Sequence, residues 1–228
     1  MTRRALVVDD EISTCELIQR VLYAAGVDAL TLTQSEQAPG FLDEGKFDMV
    51  FFDLHMSPLD GIELAREMRK CKSNYNTPII LLSDDQRPSA MTEGFAAGAS
   101  FFLYKPVDKA RLLRLVRATQ QQSGVERRQT RRVMLHTKVH LRCGSEEVVC
   151  DAVDLSLNGV LVRSPQVFPP GSAVQVSMDL GRHAKPLVGG GLVARIAAPN
   201  QMGIALNQLS IEESERLQEF LLPLLPRE

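Results

Sequence analysis

The chain has 228 residues, enough for two ordinary domains, with 44% apolar residues and a formal net charge of −2. That composition excludes a disordered chain and removes any whole-chain electrostatic pull toward nucleic acid or membrane. No stretch approaches the roughly 20 apolar residues of a membrane span, and Met1-Thr2-Arg3-Arg4 leads into a strand rather than a signal sequence, so a cytoplasmic protein is expected.

Up to about residue 120, short apolar runs alternate with amphipathic helical patterns, the grammar of βα units around a parallel sheet. Strands are expected at Arg4–Val8, Ala29–Leu32, Met49–Phe52, Ile79–Leu82 and Phe101–Tyr104. Several are continuous apolar runs, as strands covered on both faces require. The pattern predicts helices over Ile12–Ala25, closed by Gly26, over Ile62–Lys70, capped by Asp60-Gly61, and over Val107–Gln121 after Pro106. The second helix is weak, because Pro39-Gly40 interrupts it.

Beyond Gln120-Gln121-Gln122-Ser123-Gly124 the grammar changes. Short strands, expected at Leu135–Arg142, Glu147–Val153, Val160–Arg163, Ala173–Met178, Leu187–Ile196 and Met202–Leu206, alternate with turn signals, as in a small β-barrel or sandwich. A last helix, Ile211–Leu222, takes Ser210 as its N-cap. The expected organisation is a first domain over 1–122, a linker and arginine arm over 123–132, and a second domain over 133–228. Cys15, Cys71, Cys143 and Cys150 have no C-x-x-C spacing, so free thiols are expected rather than a zinc site, with Cys15 and Cys150 packed.

Two polar constellations carry the chemistry. In open parallel sheets, ligands sit beyond the carboxyl ends of the strands. Asp9-Asp10 ends the first strand, Asp53 the third, Ser83 the fourth and Lys105 the fifth, so all converge at one edge. Carboxylates from two strands suit Mg²⁺, which prefers oxygen ligands. Asp53 can then act as nucleophile toward a phosphoryl donor, with Lys105 neutralising charge on the oxygens and Ser83 bonding the new group. Taken singly, an Asp-Asp pair after a strand is a turn and Lys105 a solvated lysine; the convergence argues for a site.

At these residues the chain resembles the receiver domain of two-component response regulators. Leu6-Val7-Val8-Asp9-Asp10-Glu11, Asp53-Leu54-His55-Met56 with Asp60-Gly61, Pro78-Ile79-Ile80-Leu81-Leu82-Ser83, and Lys105-Pro106 match its landmarks in order. The resemblance implies a five-stranded, doubly wound, flavodoxin-like fold and phosphorylation of Asp53 by a sensor histidine kinase. It also implies Mg²⁺ held by Asp9, Asp10, Asp53 and the backbone carbonyl of His55, with Ser83 and Phe102 as switch residues. Asp84 and Asp85 add two carboxylates at the mouth, where they are expected to repel an anionic donor.

The second constellation is Arg127-Arg128-Gln129-Thr130-Arg131-Arg132, followed by Asp154-Leu155-Ser156-Leu157-Asn158-Gly159. Arginine forks bind phosphate bidentately and stack on purine faces. Asp154 and Ser156 alternate along a strand and project the same way, and Asp154 can accept hydrogen bonds from a guanine edge. Gly159 leaves room for a ligand or the arm against the backbone. The plainer alternatives are a basic linker and a type I′ turn at Asn158-Gly159.

This half resembles a PilZ domain, over about residues 125–226. The resemblance implies a six-stranded barrel with a C-terminal helix that binds cyclic di-GMP, the arm folding over the ligand. The motif arginines are placed at Arg128 and Arg132, with a register on Arg127 and Arg131 also open. The expected protein is a response regulator, not an enzyme, that relays phosphorylation and cyclic di-GMP to a downstream protein. The alternative is a nucleotide-independent adaptor. No helix-turn-helix pattern is present, so DNA binding is not expected.

Overall fold

In the computed structural model, residues 3–85, 87–120, 132–181 and 185–224 are described. They fall into two compact units, one within 3–120 and one within 132–224. Apart from Arg132, the expected linker and arm lie outside the described residues.

The first unit runs β1 (Arg3–Val8), α1 (Ile12–Ala24), β2 (Val27–Leu32), α2 (Ala38–Glu44), β3 (Met49–Asp53), α3 (Gly61–Met68), β4 (Ile79–Ser83), α4 (Pro88–Ala96), β5 (Phe101–Tyr104) and α5 (Lys109–Gln120). The strands pair in parallel in the order β2-β1-β3-β4-β5, a doubly wound sheet. Every residue of β3 and β4 is buried, which explains their unbroken apolar runs. Side chains alternate across the sheet. Leu6, Val8, Val50, Phe52, Ile79 and Leu81 join one core with Leu42 of α2, Leu64 of α3 and Met91 of α4. Ala5, Val7 and Phe51 are buried on the other face, where α1 meets α5.

Helix boundaries follow local chemistry. Pro39 sits in the first turn of α2, where the missing N–H has no partner to lose, so it opens the helix that the sequence pattern made look interrupted. Asp60 caps α3, accepting from the Glu63 N–H at 2.7 Å, while Glu63 Oε2 accepts the Asp60 N–H at 3.0 Å. The last helix begins at Lys109 rather than Val107 because Asp108 Oδ1 accepts the Arg111 N–H at 2.8 Å.

The second unit contains β6 (Val133–Met134), β7 (Lys138–Cys143), β8 (Glu146–Ser156), β9 (Gly159–Arg163), β10 (Ala173–Met178), β11 (Leu187–Ala198), β12 (Gln201–Gln208) and α6 (Ile211–Leu221). Antiparallel pairing runs β8-β7-β10-β11-β12-β9 and returns from β9 to β8, closing a six-stranded barrel. Val139, Leu141, Cys150, Val162, Val176, Val193 and Ile204 fill it, and Leu217 and Leu221 of α6 pack into the same core. Ser210 caps α6, its Oγ accepting the Glu213 N–H at 3.2 Å.

The strand expected at Leu135–Arg142 begins later, as β7 at Lys138, and a separate short strand, β6, precedes it. β7 pairs with the first half of β8, and β6 pairs with Asp154 and Leu155 in its second half. Between the halves Val153 is an extra residue, since Ala152 opposes Val162 while Asp154 opposes Leu161. The segment from Leu135 to Thr137 bridges that bulge, with the Leu135 N–H on the Val153 carbonyl at 3.2 Å.

Candidate functional site

At the carboxyl edge of the first unit's sheet, β1 delivers Asp9, β3 Asp53, β4 Ser83, and the residue after β5 is Lys105. Asp9, Asp53 and Ser83 are all buried. Lys105 Nζ lies 3.0 Å from Asp9 Oδ2, 3.4 Å from Asp53 Oδ2 and 3.3 Å from Glu11 Oε2. Gly61 makes the backbone at Asp53 accessible to α3: a Cβ there would sit 2.3 Å from the Asp53 carbonyl oxygen.

Asp9, Asp10 and Asp53 each present an oxygen within 4.8 Å of the others. Burial raises the Asp53 carboxyl to about 6, and the neighbouring Asp9 charge adds to it. Burial also raises Asp9, against the pull of Lys105. For Lys105, burial works against the ammonium, but bonding to Asp9 and the charge of Asp53 outweigh it and raise the lysine. One lysine therefore does not balance three carboxylates. Beyond its ion pair with Lys105, the buried Asp9 Oδ2 has no hydrogen-bond partner among the described residues. A hard divalent cation fits this donor set, for it would satisfy that oxygen and relieve the carboxylate repulsion.

The Ser83 Oγ accepts the Asp85 N–H at 2.9 Å, which leaves its own proton to donate. Phe102 is buried, 5.1 Å between ring centroids from Tyr104. The expected repulsion from Asp85 needs correction: its carboxylate is chelated by Arg87 at 2.5 Å and faces His55 Nε2 at 3.4 Å. Bonding to Arg87 holds its carboxyl well below the usual range, so its charge is neutralised locally. Asp84 is exposed. Sequence reasoning gave no role to Glu11, which accepts the Thr14 hydroxyl at 2.9 Å and is lowered by that bond and by Lys105. Its place in the run Asp9-Asp10-Glu11 was the available signal. Cys15 is inert by position: its S–H donates to the Asp9 carbonyl at 3.3 Å, and burial pushes the thiol up to about 11.

On the barrel, Asp154 and Ser156 lie inside β8, which runs three residues past the end of the strand expected from the pattern. The Val153 bulge decides where they face. Before it Val148, Cys150 and Ala152 point inward; after it Leu155 does, which puts Asp154 and Ser156 on the outer face. Arg132 is ion-paired to Asp154 through Nη1 and Oδ1. Arg127, Arg128 and Arg131 lie outside the described residues. Ser156 Oγ donates to the Gly159 carbonyl at 3.1 Å.

Gly159 answers to a different demand from the one expected. The close approach there is made by β12, since a Cβ would stand 2.3 Å from the Ile204 carbonyl oxygen. Nor does Gly159 take a positive φ; Leu157 and Asn158 form the turn, and Ser156 pairs with Gly159. Beside it, Asn158 Oδ1 and Asn207 Oδ1 are buried with no hydrogen-bond partner among the described residues.

Comparison with known proteins matches both units to families. Residues 5–117 match the response regulator receiver domain, and residues 126–222 match the PilZ domain. The sensory/regulatory protein RpfC of Xanthomonas campestris is 36% identical over 112 residues, 48% of this chain and 15% of its own length. The cell cycle transcriptional regulator CtrA of Caulobacter vibrioides is 27% identical over 159 residues, 68% of this chain and 62% of its own. This chain thus spans only part of those relatives. Among solved structures, a putative response regulator from Chloroflexus aurantiacus superposes with a TM-score of 0.51 at 26% identity, covering 54% of this chain and 100% of that one. The chemotaxis response regulator CheY4 of Vibrio cholerae gives 0.50 at 28% identity, covering 52% and 99%. No described helix is long and apolar enough to cross a membrane.

Proposed function

The chain joins a response regulator receiver domain to a PilZ domain, and from that premise we propose that it integrates phosphorylation at Asp53 with binding of cyclic di-GMP and relays both to a partner protein. The observation that carries the first half is the cluster of three carboxylates and one lysine at the sheet edge.

In this reading an Asp53 oxygen attacks the phosphorus of a sensor kinase's phosphohistidine. The P–O bond forms as the P–N bond breaks, and the nitrogen leaves as imidazole. Lys105, 3.4 Å from Asp53 Oδ2, sits where charge on the transferred oxygens must be balanced, and the Ser83 hydroxyl proton is free to bond one of them. Asp9, Asp10, Asp53 and the His55 backbone carbonyl are the groups that would hold Mg²⁺. Bound there, the ion supplies charge neutralisation for the phosphoryl oxygens.

In the second half, Arg128 and Arg132, with Arg127 and Arg131 beside them, grip the phosphates and purines of cyclic di-GMP, and Asp154, Ser156 and Gly159 form the opposing face. The ion pair of Arg132 with Asp154 supports this, because it links the arm to the motif strand. Calorimetric titration of cyclic di-GMP into the chain is the test. Micromolar or tighter binding, lost in Arg128→Ala/Arg132→Ala, is expected. No binding at high micromolar ligand sinks this half and leaves an adaptor whose partners bind without nucleotide. Coupling between the halves predicts that Asp53→Ala changes the affinity of the phosphodonor-treated chain for cyclic di-GMP.

A further inference from the structure

At the carboxyl edge of the first unit's sheet, the ends of β1, β3, β4 and β5 each supply a side chain to the candidate site, and β2 supplies none. The short 3-10 turn after β2, Ser35–Gln37, nevertheless opens on a polar residue as deeply buried as the site residues themselves. Ser35 is 1% exposed. A hydroxyl withdrawn from water that far needs a bonding partner.

That partner lies 24 residues along the chain, where Ser35 Oγ accepts the Leu59 N–H at 3.1 Å. Leu59 belongs to the loop over 54–60, between β3 and α3, which also carries His55. Leu54 holds the outgoing leg of that loop: its N–H donates to the Leu82 carbonyl at 2.8 Å, and its carbonyl accepts the Gly61 N–H at 3.2 Å. Leu54 and Met56 bury their side chains in the core, and His55 between them is exposed. The backbone N–H groups of His55, Met56 and Ser57 have no acceptor among the described residues. On the return leg the capping box ties Asp60 to α3. Among the described residues, Ser35 is then the one side chain outside the loop and α3 that bonds to the loop's backbone.

A carboxylate can rotate toward a cation, but a backbone carbonyl serves one only from where the chain holds it. Mg²⁺ tolerates little departure from octahedral geometry, so in a loop with few anchors each anchor counts. Removing the Ser35 oxygen leaves the part-buried Leu59 N–H without a partner, and the return leg must shift to reach water. Groups that orient a metal's ligands in this way govern its affinity without touching it.

We infer that Ser35 is a positioning residue for the metal: by holding Leu59 it fixes the loop that offers the His55 carbonyl to the cation. This rests on the proposed reading of Asp9, Asp10, Asp53 and the His55 carbonyl as a Mg²⁺ site. The end of β2 then serves the site as the other four strand ends do, but through a loop rather than by contact.

The test is calorimetric titration of Mg²⁺ into the full chain and its Ser35→Ala and Ser35→Thr variants, with metal-free thermal melts as the fold control. Ser35→Ala is expected to weaken Mg²⁺ binding about tenfold, and Ser35→Thr, which keeps the acceptor, to restore most of it. Phosphorylation of Ser35→Ala from a small-molecule phosphodonor should need about tenfold more Mg²⁺ for half its maximal rate, with the maximal rate held within about twofold. A lower melt with Mg²⁺ affinity unchanged makes Ser35 a packing residue and overturns the inference while leaving the Mg²⁺ site standing. Threonine binding as weakly as alanine also overturns it, because the hydroxyl then has no part. No Mg²⁺ binding by the wild type overturns the site itself, and this inference with it.

Discussion

In the first unit the carboxylates of Asp9 and Asp53 are buried at strand ends, whereas in the second Asp154 faces outward from a barrel whose interior is closed. The physical consequences diverge. Burial loads Asp53 and Asp9 with a desolvation cost, visible in their raised carboxyls. On the barrel the fold's contribution is orientation: the extra residue Val153 sets the outward facing of Asp154. One site stores electrostatic strain for a cation to relieve; the other presents a surface for a ligand to cover.

The largest expected effect lies on the buried site. Asp53→Asn is expected to abolish incorporation of a phosphoryl group from a small-molecule phosphodonor and Mg²⁺, read by intact mass; incorporation at wild-type level would move the acceptor elsewhere.

Asp154→Ala leaves the barrel core untouched but removes the acceptor paired with Arg132. About tenfold weaker cyclic di-GMP binding is expected by calorimetry, and an unchanged affinity would remove Asp154 from the ligand face. Back at the buried site, the Asp53 carboxyl titrates near 6 in the metal-free fold against an ordinary 3.8. The folded state thus holds its proton more tightly, and stability declines as pH rises from about 4 to 6. Asn at this position escapes the decline. Metal-free Asp53→Asn should exceed wild type by about 1 to 2 kcal/mol at pH 7.5, the gain vanishing near pH 4. Equal stability at both pH values would mean that Lys105 already compensates the charge in full. The smallest effect is expected at the mouth: Asp85→Ala should change the phosphorylation rate less than about twofold, because Arg87 already offsets that carboxylate. A large acceleration would restore the repulsion expected from sequence.

Much of this was legible before any coordinates. Asp9, Asp53, Ser83 and Lys105 each end or follow an apolar run, and parallel topology sends such ends to one edge. Pro39 misled because proline opposes a helix only in its interior, and position within the helix is not visible in composition. The Asp85–Arg87–His55 group was hidden for another reason. Asp85 looked like free charge, since the sequence does not say which partner a side chain will find.

On the barrel the limits are sharper. The motif Asp154-x-Ser156-x-x-Gly159 could be read directly, but its facing depends on one extra residue that period-two counting passes over.

By itself the sequence determined the periodicities, the order of elements and the chemistry of the two residue sets, because these follow from local spacing and side-chain type. Only the tertiary structure decided that Lys105 sits among three acidic side chains, that Asp85 is neutralised, that Gly159 serves the approach of β12, and that Asp154 faces outward from the barrel. Each of those depends on strand register and burial, which are set by pairings between residues far apart in the chain.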